Sequence, residues 1–226
     1  MPMPEEDRRS VVERYGERYG RFGYDSRSLG WTGEKQLVRF GVLTSGFDLR
    51  GRTVLDLGCG FGDLNRVLAE QYGDDYRYVG VDLVPQFLDE GRAKYGRDGV
   101  DFIEGDLLEV EPPTPCDVVV ASGIFNHQLE GMDEYDFIVA VMERALSLSG
   151  DGVAMDFLSD RVDYREDPLF YSSPERVLGI AYGLSRNVVL RNDYMPFEFS
   201  VFVYKDESFS SEDLVFERFK TGGDRR

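Results

Sequence analysis

VLDLGCGFGDL, residues 54–64, decides how this chain folds. Val54, Leu55 and Leu57 make a short apolar run that reads as a buried strand over residues 52–57. Gly58, Gly60 and Gly62 then let the chain turn tightly into a helix and let a ligand approach the backbone closely. Outward from this loop, similar apolar runs recur at 77–82 (RYVGVD), 100–104 (VDFIE), 117–122 (DVVVAS) and 153–158 (VAMDFL). Helical stretches near 62–72, 85–96 and 132–148 separate them. Near-continuous apolar strands alternating with helices predict an α/β fold: a doubly wound, mostly parallel sheet covered on both faces. Residues 187–191 (NVVLR) and 199–204 (FSVFVY) have no helix between them. They are expected to pair antiparallel as a C-terminal hairpin through Asn192, Asp193 and Pro196. Residues 5–20 and 33–45 read as helices, with Leu37, Phe40 and Leu43 at helical spacing. This divides the chain into a helical extension or lid (1–48), an α/β domain (49–205) and a C-terminal tail (206–226).

The acids around the glycine loop narrow the ligand. The dinucleotide fingerprint G-x-G-x-x-G needs glycine at 63, where this chain has Asp63. Asp56 sits just before the loop. A diphosphate between two carboxylates is repelled, whereas a ligand with an ammonium group is attracted. Asp82 ends the second strand, about 20 residues on, placed to accept both ribose hydroxyl protons. Asp106 follows Gly105 after the third strand and can accept from an adenine amino group. Leu83 and Leu107 supply apolar walls for the ring. Any one of these acids alone reads equally well as a helix cap. As a set they favour S-adenosylmethionine (SAM), which carries an ammonium and a sulfonium and no phosphate.

These motifs carry a resemblance. VLDLGCGFGDL, VGVDL (79–83), EGDL (104–107), CDVVVASGIFNH (116–127) and MERALSLSGDGVAMDF (142–157) resemble those of the class I SAM-dependent methyltransferases, over roughly residues 50–205. The resemblance implies seven strands with the last antiparallel. It implies a cofactor site at Asp56, Gly58, Gly60, Asp63, Leu64, Asp82, Leu83, Asp106 and Leu107, with Ser122 and Gly123 under the methionine part. LGWTGEKQLVRF (29–40) and YMPFEFSVFVYK (194–205) resemble uncharacterised bacterial and archaeal members of that family. In that group the helix carrying Gln36 brings Trp31 and Arg39 towards the cofactor, and Arg39 pairs with the SAM carboxylate. The alternative places Arg39 on an exposed helix face.

Methyl transfer is an in-line displacement by an already activated reagent. The protein mainly aligns the partners and excludes water. The segment ASGIFNHQ (121–128) lies closest to the reacting centre in such a fold. Phe125 is expected on the sulfonium side and Asn126 as a guide for the acceptor. His127, the chain's one histidine, is the candidate base, with a plain capping role as its alternative. Asp160, Tyr164 and Tyr171 in the loop after the fifth strand form a second cluster, and Asn192, Asp193 and Tyr194 a third. Acid plus tyrosine suits a cationic or hydroxylated acceptor. No set of oxygen ligands, no CxxC and no HExxH marks a metal site.

The bulk numbers set limits. With 226 residues the chain fits one domain with a small addition. Its formal net charge of −17 opposes binding of DNA or RNA and suits a cationic or neutral small molecule. It reads equally as solubility in a saline cytoplasm. No segment is apolar enough for a membrane span, and the acidic N-terminus is no signal peptide. Cys59 and Cys116 read as reduced, buried thiols. The function expected is a cytoplasmic SAM-dependent methyltransferase acting on an unidentified small molecule. The alternatives are an NAD(P)-dependent oxidoreductase and a non-catalytic SAM-binding module that works through a partner.

Overall fold

The computed structural model describes residues 2–31, 33–212 and 214–220. Two helices, α1 (Glu5–Phe22) and α2 (Gly33–Thr44), precede the sheet, joined through a 3-10 turn at Ser26–Leu29. The sequence then alternates: β1 (Thr53–Leu57), α3 (Leu64–Tyr72), β2 (Arg77–Asp82), α4 (Pro85–Tyr95) and β3 (Val100–Glu104). After them come β4 (Cys116–Ala121), α5 (Glu134–Leu148), β5 (Ser149–Leu158), α6 (Pro174–Leu184), β6 (Val188–Arg191) and β7 (Glu198–Tyr204).

These strands form one sheet in the order β3-β2-β1-β4-β5-β7-β6. The first five run parallel, and β7 pairs antiparallel with both β5 and β6. The predicted class and the terminal hairpin both hold. The chain winds from β1 out to β3, then returns to β4 on the other side of β1. That reversal opens a crevice at the carboxyl ends of β1 and β4, where open α/β sheets take ligands.

Alternation along the strands sorts the core into two layers. Leu55, Leu57, Val79, Val81, Val119 and Ala121 face α5 and α6, packing with Ile138, Val141, Val177 and Ala181. Val54, Tyr78, Val118 and Val120 face the other way, onto Phe40 and Leu43 of α2, Leu64 and Leu68 of α3, and Leu88 of α4. A one-residue slip of a strand exchanges these faces, so burial on both sides fixes the register. A third cluster, Leu29, Phe61, Val84 and Phe87, lies outside the sheet and carries Tyr15, Tyr19 and Trp31.

The reading above assigned no element to residues 159–186, and α6 stands there. Ser173 caps it by accepting from Arg176 N–H, and Pro174 occupies the first turn. Val177, Ile180, Ala181 and Leu184 then give the helical apolar spacing. The strand β5 also starts earlier than expected, at Ser149. Of the proposed tail, residues 221–226 lie outside the described residues.

Candidate functional site

The loop after β1 is held by its own glycines and by the neighbouring strand. Gly58 N–H and Cys59 N–H both donate to the Val81 carbonyl, at 2.8 and 3.0 Å. Gly58 has φ 71°, and a Cβ there would lie 2.3 Å from Ile124 Cγ2, so only glycine brings the loop this close to the end of β4. Asp82, closing β2, ties the crevice together. One carboxylate oxygen accepts from Gly60 N–H at 2.8 Å and the other from Val84 N–H at 2.9 Å. Each oxygen keeps a lone pair for a ligand hydroxyl.

An inner cavity of about 120 Å³ fills the crevice. Of the expected cofactor residues, Trp31, Asp56, Gly58, Gly60, Asp82, Leu83, Leu107, Ser122 and Gly123 line it. Asp56 is buried and accepts from the Tyr78 hydroxyl at 2.7 Å. Burial, with Asp82 and Asp156 nearby, pushes its pKa up to about 7. Burial likewise raises Asp82 to about 6. Asp156 on β5 accepts from Ser122 Oγ and Gly123 N–H, and burial raises it to about 6 as well. Asp56 and Asp82 line the cavity, with Asp156 behind Ser122 and Gly123, and buried carboxylates of this kind suit a cation.

Four expected cofactor residues stand elsewhere. Asp63 is bonded to the Tyr24 and Tyr95 hydroxyls, with Lys94 at 3.7 Å, on the outer side of the loop. Leu64 belongs to the core layer under α3. Asp106 accepts from Met3 N–H at 2.8 Å and from Leu108 N–H at 2.9 Å. Arg39 is buried, grips Glu198 of β7 with two N–H groups and lies over the Trp31 ring at 3.8 Å. Its placement on an exposed helix face is therefore corrected, because α2 packs that side chain against β7.

The N-terminal helix closes the inner cavity. Met3, Val11 and Tyr15 line it from above. Asp7 is buried and accepts from Glu130 N–H at 2.7 Å and from Gly131 N–H at 3.1 Å. Tyr15 bonds His127 Nε2 at 2.9 Å, and Tyr19 donates to Glu90 at 2.7 Å.

Beyond α1 lies an outer cavity of about 850 Å³. Asn126, His127, Tyr164 and Tyr171 line it. Leu29, Trp31 and His127 line both cavities and form the partition between them. Asn126 is buried, with its amide oxygen accepting from Leu158 N–H at 3.3 Å. His127 is held low, at about 4, by burial and by Arg14 and Arg18, so it is neutral at physiological pH and a weak base.

The other expected acceptor residues do not line either cavity. Phe125 stacks on Phe157 at 4.7 Å in a run continued by Phe199. Asp160 is ion-paired to Arg161 at 3.8 Å. Asp193 is exposed and pairs with Arg191, while Tyr194 bonds Ser200 at 2.8 Å beneath the hairpin. Sequence reasoning missed Met3, Val11, Tyr15, Asp156 and the arginines of α1. The spacing of Val11 and Tyr15 on one edge of α1 and Arg14, Arg18 and Arg21 on the next was a signal of a two-sided helix.

Residues 54–150 match a family model described as "Methyltransferase domain". The trans-aconitate 2-methyltransferase of Rhizobium leguminosarum bv. trifolii (strain WSM2304) is 32% identical over 85 residues, 38% of this chain and 32% of that protein. The malonyl-[acyl-carrier protein] O-methyltransferase of Acetivibrio thermocellus is 26% identical over 129 residues, 56% of this chain and 42% of that protein. The chain thus spans only about a third of the length of the first curated relatives it matches. Among solved structures, the DhpI complex with S-adenosylhomocysteine (SAH) superposes with a TM-score of 0.66 at 20% identity, covering 88% of this chain and 97% of that one. Magnesium protoporphyrin IX methyltransferase from Synechocystis PCC 6803 with bound SAM gives 0.63 at 15% identity, over 90% and 99%. The segment from β1 to the start of β5 thus resembles a methyltransferase domain, and the solved structures share the fold of most of the chain.

Proposed function

We propose that this chain transfers the methyl group of SAM to a small-molecule acceptor. The observation that carries the reading is the pair of cavities meeting at Trp31 and His127. A donor in one and an acceptor in the other face each other across that partition, the alignment an in-line displacement needs. Bound SAM supplies a methyl group already activated on a sulfonium. Asp82 accepts from the ribose hydroxyls, and Asp56 faces the ammonium. Asp106 is the partner for the adenine amino group, a position now taken by Met3 N–H. Helix α1 excludes water from above, and Asn126 and Tyr171 orient the acceptor in the outer cavity. Two named relatives act on trans-aconitate and on malonyl-[acyl-carrier protein], which supports an acceptor outside the nucleic acids. A nicotinamide dinucleotide is disfavoured, because its diphosphate would meet Asp56 and Asp82.

Calorimetry with SAM and SAH on the wild type and Asp82→Ala tests the cofactor site. The substitution is expected to weaken binding by about 1.5–3 kcal/mol, the value of hydrogen bonds to a charged group. An unchanged affinity in a variant with the wild-type melting temperature removes Asp82 from the site. A melting shift with NADH and none with SAM overturns the function.

A further inference from the structure

The protein as a whole is strongly acidic, yet the outer cavity has a basic wall. Arg14, Arg18 and Arg21 project into it from one edge of α1, spaced four and three residues apart, and Lys35 and Arg39 add to it from α2. Glu17, Glu166, Asp167 and Glu198 also line it. Glu198 is committed to Arg39, whereas Arg14, Arg18 and Arg21 have no carboxylate partner among the described residues.

The second observation is independent of charge counting. Arg14 Nη1, Arg39 Nη1 and His127 Nδ1 are buried and have no hydrogen-bond partner, and all three residues line this cavity. Tyr15 OH and His127 Nε2 share a hydrogen bond at 2.9 Å, and in the tautomer where the hydroxyl donates the His127 proton sits on Nδ1. All three atoms are then donors. Buried donors left unmatched are costly, so they are retained where a ligand supplies the acceptor.

We propose that the acceptor is a carboxylate-bearing molecule whose anionic group is received by Arg14, Arg18 and the Nδ1–H of His127 at the inner end of the outer cavity. A carboxylate offers two oxygens with about four lone-pair sites and matches the planar fork of a guanidinium. This reverses the expectation of a cationic or neutral acceptor drawn from net charge, because the field within a few ångströms outweighs distant, screened charge. It also fits the neutral, weakly basic His127. An acceptor oxygen that is already ionised at neutral pH has no proton for a base to remove. This inference rests on the proposed function, since it names the substrate class of that same site.

The test uses calorimetry on the full chain saturated with SAH, with benzoate, succinate and citrate as probes. Their methyl esters and inorganic phosphate are the controls. We expect at least one carboxylate to bind with a submillimolar Kd and its ester to bind tenfold or more weakly. The double variant Arg14→Gln/Arg18→Gln is expected to lose tenfold or more for that carboxylate and to keep its SAH affinity, which also reports that it folds. Arg9→Gln, whose residue pairs with exposed Glu13, is expected to bind as the wild type. The proposal falls if no carboxylate binds, if esters bind as well as acids, if only phosphate binds, or if the double variant retains affinity. SAH binding in the absence of any of these anion effects overturns this inference alone. Failure of SAH to bind overturns the proposed function, and the same probes then report on the basic wall in the unloaded chain.

Discussion

Asp56, Asp82 and Asp156 place buried carboxylates in the C-terminal halves of β1, β2 and β5, with raised pKa values of about 7, 6 and 6. Each folded value lies above the unfolded value near 4, so their favourable contribution to stability is fully present below about pH 4. It is lost as pH rises through 6 to 7, where ionised acids accumulate in a buried wall. An ammonium ligand reverses the trend, because it favours the ionised forms. SAH affinity is therefore expected to fall about tenfold or more from pH 7.5 to pH 5, as the acids take protons and lose their attraction for the ammonium. Binding at pH 6.5 should release protons, read as an enthalpy that changes with the ionisation enthalpy of the buffer. Equal affinity at both pH values removes the acids from ammonium recognition.

At the scale of elements, α1 is both cover and wall. Its first turn is fastened by Asp7 to the backbone N–H groups of Glu130 and Gly131, and Met3 N–H occupies Asp106. The inner cavity lies beneath this fastening, and for the proposed function α1 is expected to lift as a ligand enters and leaves. Asp7→Ala removes the acceptor for those N–H groups, and SAH release is expected to quicken severalfold in stopped-flow, with a smaller effect on fold stability. An unchanged release rate means that ligands use another route. The core strands were legible because each couples an apolar run to a chemistry-bearing end: Val54 to Gly58, Tyr78 to Asp82, Val100 to Asp106. The cover was less legible. Met3 and Tyr15 lie far along the chain from the residues they meet, and no local pattern announces contacts across more than 100 residues. Phe125 shows the converse failure. Its neighbours Asn126 and His127 reach the outer cavity, but the turn after β4 directs Phe125 into the aromatic stack with Phe157 and Phe199. Helix α6 was legible at Ser173-Pro174, a capping serine before a first-turn proline, and the run of loop residues before it obscured that start.

At the scale of the whole molecule, the net charge of −17 and the basic wall act over different distances. Long-range potential governs approach, and it extends about 30 Å at 0.01 M salt but about 8 Å at 0.15 M. SAM carries a net charge of about +1 from its ammonium, sulfonium and carboxylate, while SAH has lost the sulfonium and is near neutral. For the proposed function the acidic surface is expected to attract SAM more than SAH, a bias towards loading the reagent over the product. The association rate of SAM is expected to fall severalfold between 10 and 200 mM salt, with that of SAH nearly flat. Stopped-flow traces of the two ligands over one salt series measure both slopes. Parallel slopes would show that capture is set by the opening of α1 and that the acidic surface serves solubility alone.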